Sequence, residues 1–112
     1  MKKVKYYKTY FNNEETRKIS DGLHTEEGSG YEFTLTDENN NTFTFYKEYI
    51  DKEWRITEKT TGTVVAEAKT QEEALAKCEK RLNDMQPVLN KHKEFFAPCI
   101  ALMKEAYGDD NA

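Results

Sequence analysis

The groups in this 112-residue chain best suited to catalysis or metal binding are two histidines, two cysteines and three doublets of adjacent glutamates. A zinc site needs cysteine and histidine at short fixed spacings, and Cys78 and Cys99 stand twenty-one positions apart with no such partners. A nucleophilic cysteine needs a half-exposed niche beside a cation or histidine, because the thiolate is the reactive form. Both cysteines instead fall on a helical apolar stripe with His92, and so read as small packing residues. The doublets Glu14–Glu15, Glu26–Glu27 and Glu72–Glu73 have the right groups for acid–base work. In a chain with 21 acidic residues they read as solvated surface. Neither G-x-G-x-x-G nor G-x-x-x-x-G-K-[ST] occurs, so no nucleotide-cradling loop is present. The expectation is a protein without enzymatic activity, cofactor or metal.

Two features point to binding instead. The stretch KVKYYKTYF, residues 3–11, interleaves lysine with aromatic rings, the pattern that single-strand nucleic-acid binders use for stacking. Lysine is also a common guard on the edge strand of a sheet. The charge distribution favours the edge reading: residues 1–20 carry a net +4, but residues 21–50 carry −6 and the whole chain −4. A nucleic-acid-binding domain concentrates positive charge on one face, and an acidic neighbour works against it. A small nucleic-acid-binding module built on this Lys/Tyr strand is therefore the alternative. The leading expectation is a protein that docks a basic partner surface through Glu26, Glu27, Glu32, Asp37 and Glu38. Asp51 and Glu53 on the next turn extend this cluster at one end of the sheet, and Tyr46, Tyr49 and Trp54 supply aromatic anchors. Ordinary solubilising charge is the competing account of the same acids.

The elements that position these residues follow from periodicity. At this length a single domain is expected, with no linker, repeat or low-complexity tract. Residues 3–11 read as a strand, and residues 12–30 as a flexible polar segment with one short helix near Asn13, ended by GSG. Over residues 31–69 the runs YEFTLTD, TFTFYKEYI, EWRITE and TVVAEA alternate apolar and polar residues, separated by turn signals. They predict an antiparallel meander of four to five strands and an α+β fold. Its expected core is Phe33, Leu35, Phe43, Phe45, Trp54, Ile56, Val64, Ala66, Leu75 and Leu82.

Thr70 opens a helical region over residues 70–107 with the capping box T-Q-E-E. Leu75, Cys78, Leu82, Met85, Leu89, His92, Phe96, Cys99 and Met103 then recur at alternating intervals of three and four. Pro87 and Pro98 sit inside this seam, and proline in a helix interior costs about 3 kcal/mol. An unbroken rod over residues 71–107 would run about 55 Å, far beyond strands of about 23 Å. A kink or break near Pro87 is expected. Leu89, Phe96, Cys99 and Met103 then either meet a second copy of the chain or pack within a hairpin that brings Cys78 opposite Cys99. No apolar run is long enough to span a membrane and no signal-peptide pattern opens the chain, so a cytoplasmic protein is expected.

The stretch EWRITEKTTGTVVAEAKTQEEALAKC, residues 53–78, is a strand–turn–strand leading into a capped helix. It resembles small accessory proteins of phages and mobile elements, including anti-CRISPR inhibitors of Cas nucleases. The resemblance implies a small inhibitor without catalytic apparatus whose partner is a Cas-type nuclease. It assigns no functional residue.

Overall fold

The computed structural model describes residues 2–108. The alternating stretches become β1 (Val4–Phe11), β2 (Leu23–Thr36), β3 (Thr42–Ile50), β4 (Glu53–Glu58) and β5 (Val64–Ala68). Two helices follow, α1 (Gln71–Lys91) and α2 (Lys93–Tyr107). Each strand pairs antiparallel with its neighbour in sequence, giving the order β1-β2-β3-β4-β5 and an α+β fold. Turn chemistry fixes the connections. Asp51 and Lys52 both take positive φ, 52° and 66°, the geometry of a tight hairpin whose twist matches its strands. The Asp37 carboxylate accepts the Asn39 and Asn41 amides at 2.9 and 2.8 Å and the Asn41 side chain at 3.0 Å. Burial alone would raise that carboxyl, but these three bonds outweigh it and hold it below its usual range.

One face of the sheet carries Phe33, Leu35, Phe43, Phe45, Ile56 and Ala66, set by register. The helix α1 lays Ala74 and Cys78 on that face, with Leu75, Leu82, Met85 and Leu89 around them. Thr70 caps the helix by accepting the Glu73 amide at 3.2 Å. Val64 departs from the expected core. The register slips after Ile56, pairing Ile56 with Ala66 and Thr57 with Val64. The extra residue, Val65, turns inward in its place, and Val64 is left 44 % exposed. Trp54 lies at the rim of this core, half-buried.

Residues 12–30 are more ordered than expected. They hold a single 3-10 turn at Ile19–Asp21 and then the first half of β2, so GSG lies within a strand. That half pairs with β1 and the second half with β3. At Gly28–Gly30 the strand carries β1 over the second face of the sheet, where Tyr6 stacks on Tyr46 at 4.8 Å. Farther along, Thr9 N donates to the Gly62 carbonyl at 2.9 Å, tying β1 to the β4–β5 turn. The glycines permit this approach. A Cβ on Gly28 would lie 2.7 Å from the Tyr6 ring, and one on Gly30 2.6 Å from the Lys47 carbonyl oxygen. Because the Lys47 backbone cannot swing aside, Gly30→Ala is expected to cost about 1–3 kcal/mol. Urea unfolding measures this, and an unchanged midpoint would show that the sheet accommodates the methyl.

The helical region is two helices that part at His92 rather than at Pro87 itself. The first helix runs through Pro87 and ends at His92 (φ −117°, ψ 41°), whose amide still bonds the Val88 carbonyl at 3.0 Å. Proline removes one internal hydrogen bond, which a helix packed along its whole length withstands. Beyond His92 the chain turns because α2 finds its cover elsewhere. It packs on β1 and β2, whereas α1 packs mainly on β5 and β4, and the two helices touch little. Most of the seam is thereby spent within the chain, but His92, expected on the packing stripe, is exposed at the break. Leu89 joins the α1 core, Cys99 and Met103 are buried, and Phe96 is half-buried. Met103 lies close over Gly62 and Thr9. Among the described residues no helix is long and apolar enough to cross a membrane.

Candidate functional site

The lysine–aromatic strand turns its rings inward. Tyr6 is 1 % exposed against Tyr46, Tyr7 meets the Tyr107 ring edge-on at 5.0 Å, and Tyr10 lies 6.0 Å from the His24 ring. Lys8 is buried as well, its ammonium 3.5 Å from Glu48, which also accepts the Tyr6 hydroxyl at 2.6 Å. Lys5 is exposed and pairs with Glu27 at 3.7 Å. Burial, more than any neighbour, pushes the phenols of Tyr6, Tyr46 and Tyr107 upward. A phenol whose pKa is raised on folding contributes stability that is fully present below its unfolded value and lost as pH climbs past it. Stability should therefore hold near pH 8 and fall above about pH 10. Urea midpoints across that range check it; a constant midpoint would contradict the burial of these hydroxyls.

The expected acidic patch is divided. Glu26 binds His24 at 2.8 Å, Glu27 binds Lys5, and Glu32 accepts the Tyr46 hydroxyl at 3.1 Å. Asp37 is 6 % exposed within its own turn, and the Glu38 amide is held by the Asn83 side chain at 2.9 Å. These last two sit on the β2–β3 turn, at the opposite end of the sheet from Asp51 and Glu53. Tyr46, 3 % exposed beneath Tyr6, is closed to a partner. Tyr49 is open: it is 57 % exposed and leans on Trp54 at 5.6 Å.

What the fold does assemble is a group centred on Arg55. Asp51 lies 3.6 Å from its guanidinium, Glu53 3.7 Å, and Glu67 3.2 Å. The last contact is to Nε, close enough for an ion pair but poorly angled for a hydrogen bond. The cation lies underneath and the carboxylates face water. The Arg55 side chain is 25 % exposed against 77 % for Asp51, 50 % for Glu67 and 36 % for Glu53. The three carboxylates turn negative charge to solvent, interrupted by Lys52 at the turn tip and by exposed Arg17 in the adjoining cleft. A cleft of about 450 Å³ opens beside this group, lined by Lys8, Tyr10, Arg17, Arg55, Thr63 and Glu67. Glu53 and Arg55 share a face by strand alternation, which the sequence carries. Glu67 reaches them because β5 pairs with β4 in the register Arg55↔Glu67, which linear spacing does not reveal.

The cysteines have the chemistry of packing residues. Both are free and buried, and burial pushes the Cys78 thiol up to about 11 and raises that of Cys99. At neutral pH such thiols stay protonated and unreactive. Comparison with protein-family models, with curated proteins and with solved structures returns no match.

Proposed function

We propose that this protein is a non-enzymatic interaction protein that docks a partner with a basic surface on the β3–β4 end of its sheet. The observation that supports this reading is the partition of charge around Arg55, with one covered guanidinium beneath three carboxylates that face water. Exposed carboxylates of this kind steer a cationic partner and set its register more than they supply affinity. Tyr49 adds a large rigid ring at the same hairpin end but on the opposite face of the sheet, open to solvent and braced by Trp54. The partner class that the phage-inhibitor resemblance implies, a host defence nuclease, carries the basic surface that such a face fits.

A titration with a short arginine-rich peptide, followed by backbone amide shifts, tests the location. Shifts should concentrate at Tyr49, Asp51, Glu53 and Glu67 and disappear in an Asp51→Lys/Glu67→Lys variant. Shifts confined to the β1–β2 hairpin, around Glu26 and Glu27, would overturn it.

A further inference from the structure

The helix α1 covers the sheet face that carries Phe33 and Phe45, but it begins at Gln71 and its first buried residue is Ala74. Beside that first turn the end of the face is left open. Alternation and register place Tyr31, Lys47, Tyr49 and Trp54 there. Tyr31 pairs with Lys47 across β2 and β3, and Tyr49 with Trp54 across β3 and β4. Tyr31, Lys47, Trp54 and Gln71 line a slot of about 330 Å³. Tyr49, 57 % exposed, extends the row of rings toward solvent.

The polar groups of the slot are unspent. Lys47 Nζ lies 5.8 Å over the Phe33 ring and Lys3 Nζ 5.9 Å over the Tyr31 ring. Among the described residues neither ammonium has a carboxylate partner. The Gln71 side chain makes no hydrogen bond among the described residues, so its donor and its acceptor are both available. Of the acids at this end, Asp51 and Glu53 turn to Arg55 on the other face. Glu72 and Glu73 follow Gln71 in the exposed first turn of α1, and neither lines the slot. An aromatic and cationic spot thus stands within an acidic chain.

We propose that this slot takes a base of single-stranded DNA or RNA, stacked on Tyr31 and Trp54, with Lys3 and Lys47 on the adjoining phosphates. Open rings stack any base because every base has a π-face, and free ammoniums hold the backbone beside it. Gln71 supplies a side-chain amide of the kind that pairs with the edge of adenine. An acidic peptide would satisfy the two ammoniums but leave the rings and the amide without a partner. The lysine–aromatic strand β1 takes no part, since its Tyr6 and Tyr7 rings are spent on Tyr46 and Tyr107. The slot shares only Tyr49 with the docking surface proposed above, and its tests leave Tyr49 unchanged.

Trp54 is the only tryptophan of the chain, so its fluorescence reports on the slot directly. Titration with a short oligo(dA) strand should quench it. The logarithm of the affinity should fall against log salt with a slope of about −1.4, from two phosphates at about 0.7 each. Tyr31→Leu should weaken binding about tenfold by removing one ring. Lys47→Met, which keeps the stem over Phe33, should reduce the salt slope by about 0.7. Lys5→Met on β1 should change neither quantity, and urea unfolding checks that all three variants fold. Equal quenching by an abasic strand of the same length, or by an oligoglutamate peptide, would make the slot a general anion site and overturn the proposal. So would an absence of quenching at low salt, or quenching that survives both Tyr31→Leu and Lys47→Met.

Discussion

Lys8→Met is expected to destabilise the protein by about 3–5 kcal/mol, the cost of leaving a buried ionic partner uncompensated. The side chains of Lys8 and Glu48 are only 10 % and 16 % exposed. The ammonium lies 3.5 Å from the carboxylate, and also over the Tyr6 and Tyr10 rings at 5.6 and 5.9 Å. Methionine replaces the stem but not the charge, so among the described residues Glu48 keeps only the Tyr6 hydroxyl as a side-chain donor. A matching Glu48→Gln change should recover part of the loss, because the double variant buries no lone charge. Chemical unfolding of the two single variants and the double variant gives the coupling. A single-variant loss below about 1 kcal/mol would mean the pair behaves as a surface salt bridge, open to water.

Phe45→Ala is expected to cost a similar amount, about 3–5 kcal/mol, for a different reason. Phe45 is 0 % exposed and lies 5.3 Å from the Phe33 ring and 6.3 Å from Phe43, in the cluster that Cys78 and Ala74 close from α1. Truncation removes apolar burial and opens a cavity that a helix and a sheet cannot both relax to fill. Trp54→Ala should cost less despite the larger ring, because Trp54 sits half-buried at the rim. Unfolding both variants in urea compares them; a larger loss at Trp54 would place the centre of the core at the wrong end of the sheet.

Much of this architecture is local, and local patterns are legible. Alternation over residues 31–36 and 42–50 puts Phe33, Phe43 and Phe45 on one face, and the T-Q-E-E signature marks the start of α1 where Thr70 caps it. The unread parts depend on what lies across space. Gly28 and Gly30 look like a flexible linker, yet they are glycines because Tyr6 and the Lys47 backbone come too close for a Cβ. Once that approach is known, the burial of Tyr46 follows: it faces away from the Phe45 side, and β1 covers the second face. The helix breaks at His92 rather than Pro87 because tertiary packing of α2 on β1 and β2 decides where the chain turns. The acidic residues are neighbours in sequence but not in space. Hairpin turns send Asp37 and Glu38 to one end of the sheet and Asp51 to the other, and strand register brings Glu67 to Arg55.

The proposed docking surface is tested most directly by capture of partners from a bacterial lysate, using the wild type and two variants as bait. Asp51→Lys/Glu67→Lys reverses the outward charge over Arg55, and Tyr49→Ala removes the exposed ring while leaving the carboxylates. The wild type should retain a protein with a basic surface that is released by raising salt, as expected for steering between opposite charges. Both variants should lose that protein while keeping the wild-type fold by circular dichroism. Retention of the same proteins by all three baits would contradict the assignment of the β3–β4 end as the docking surface.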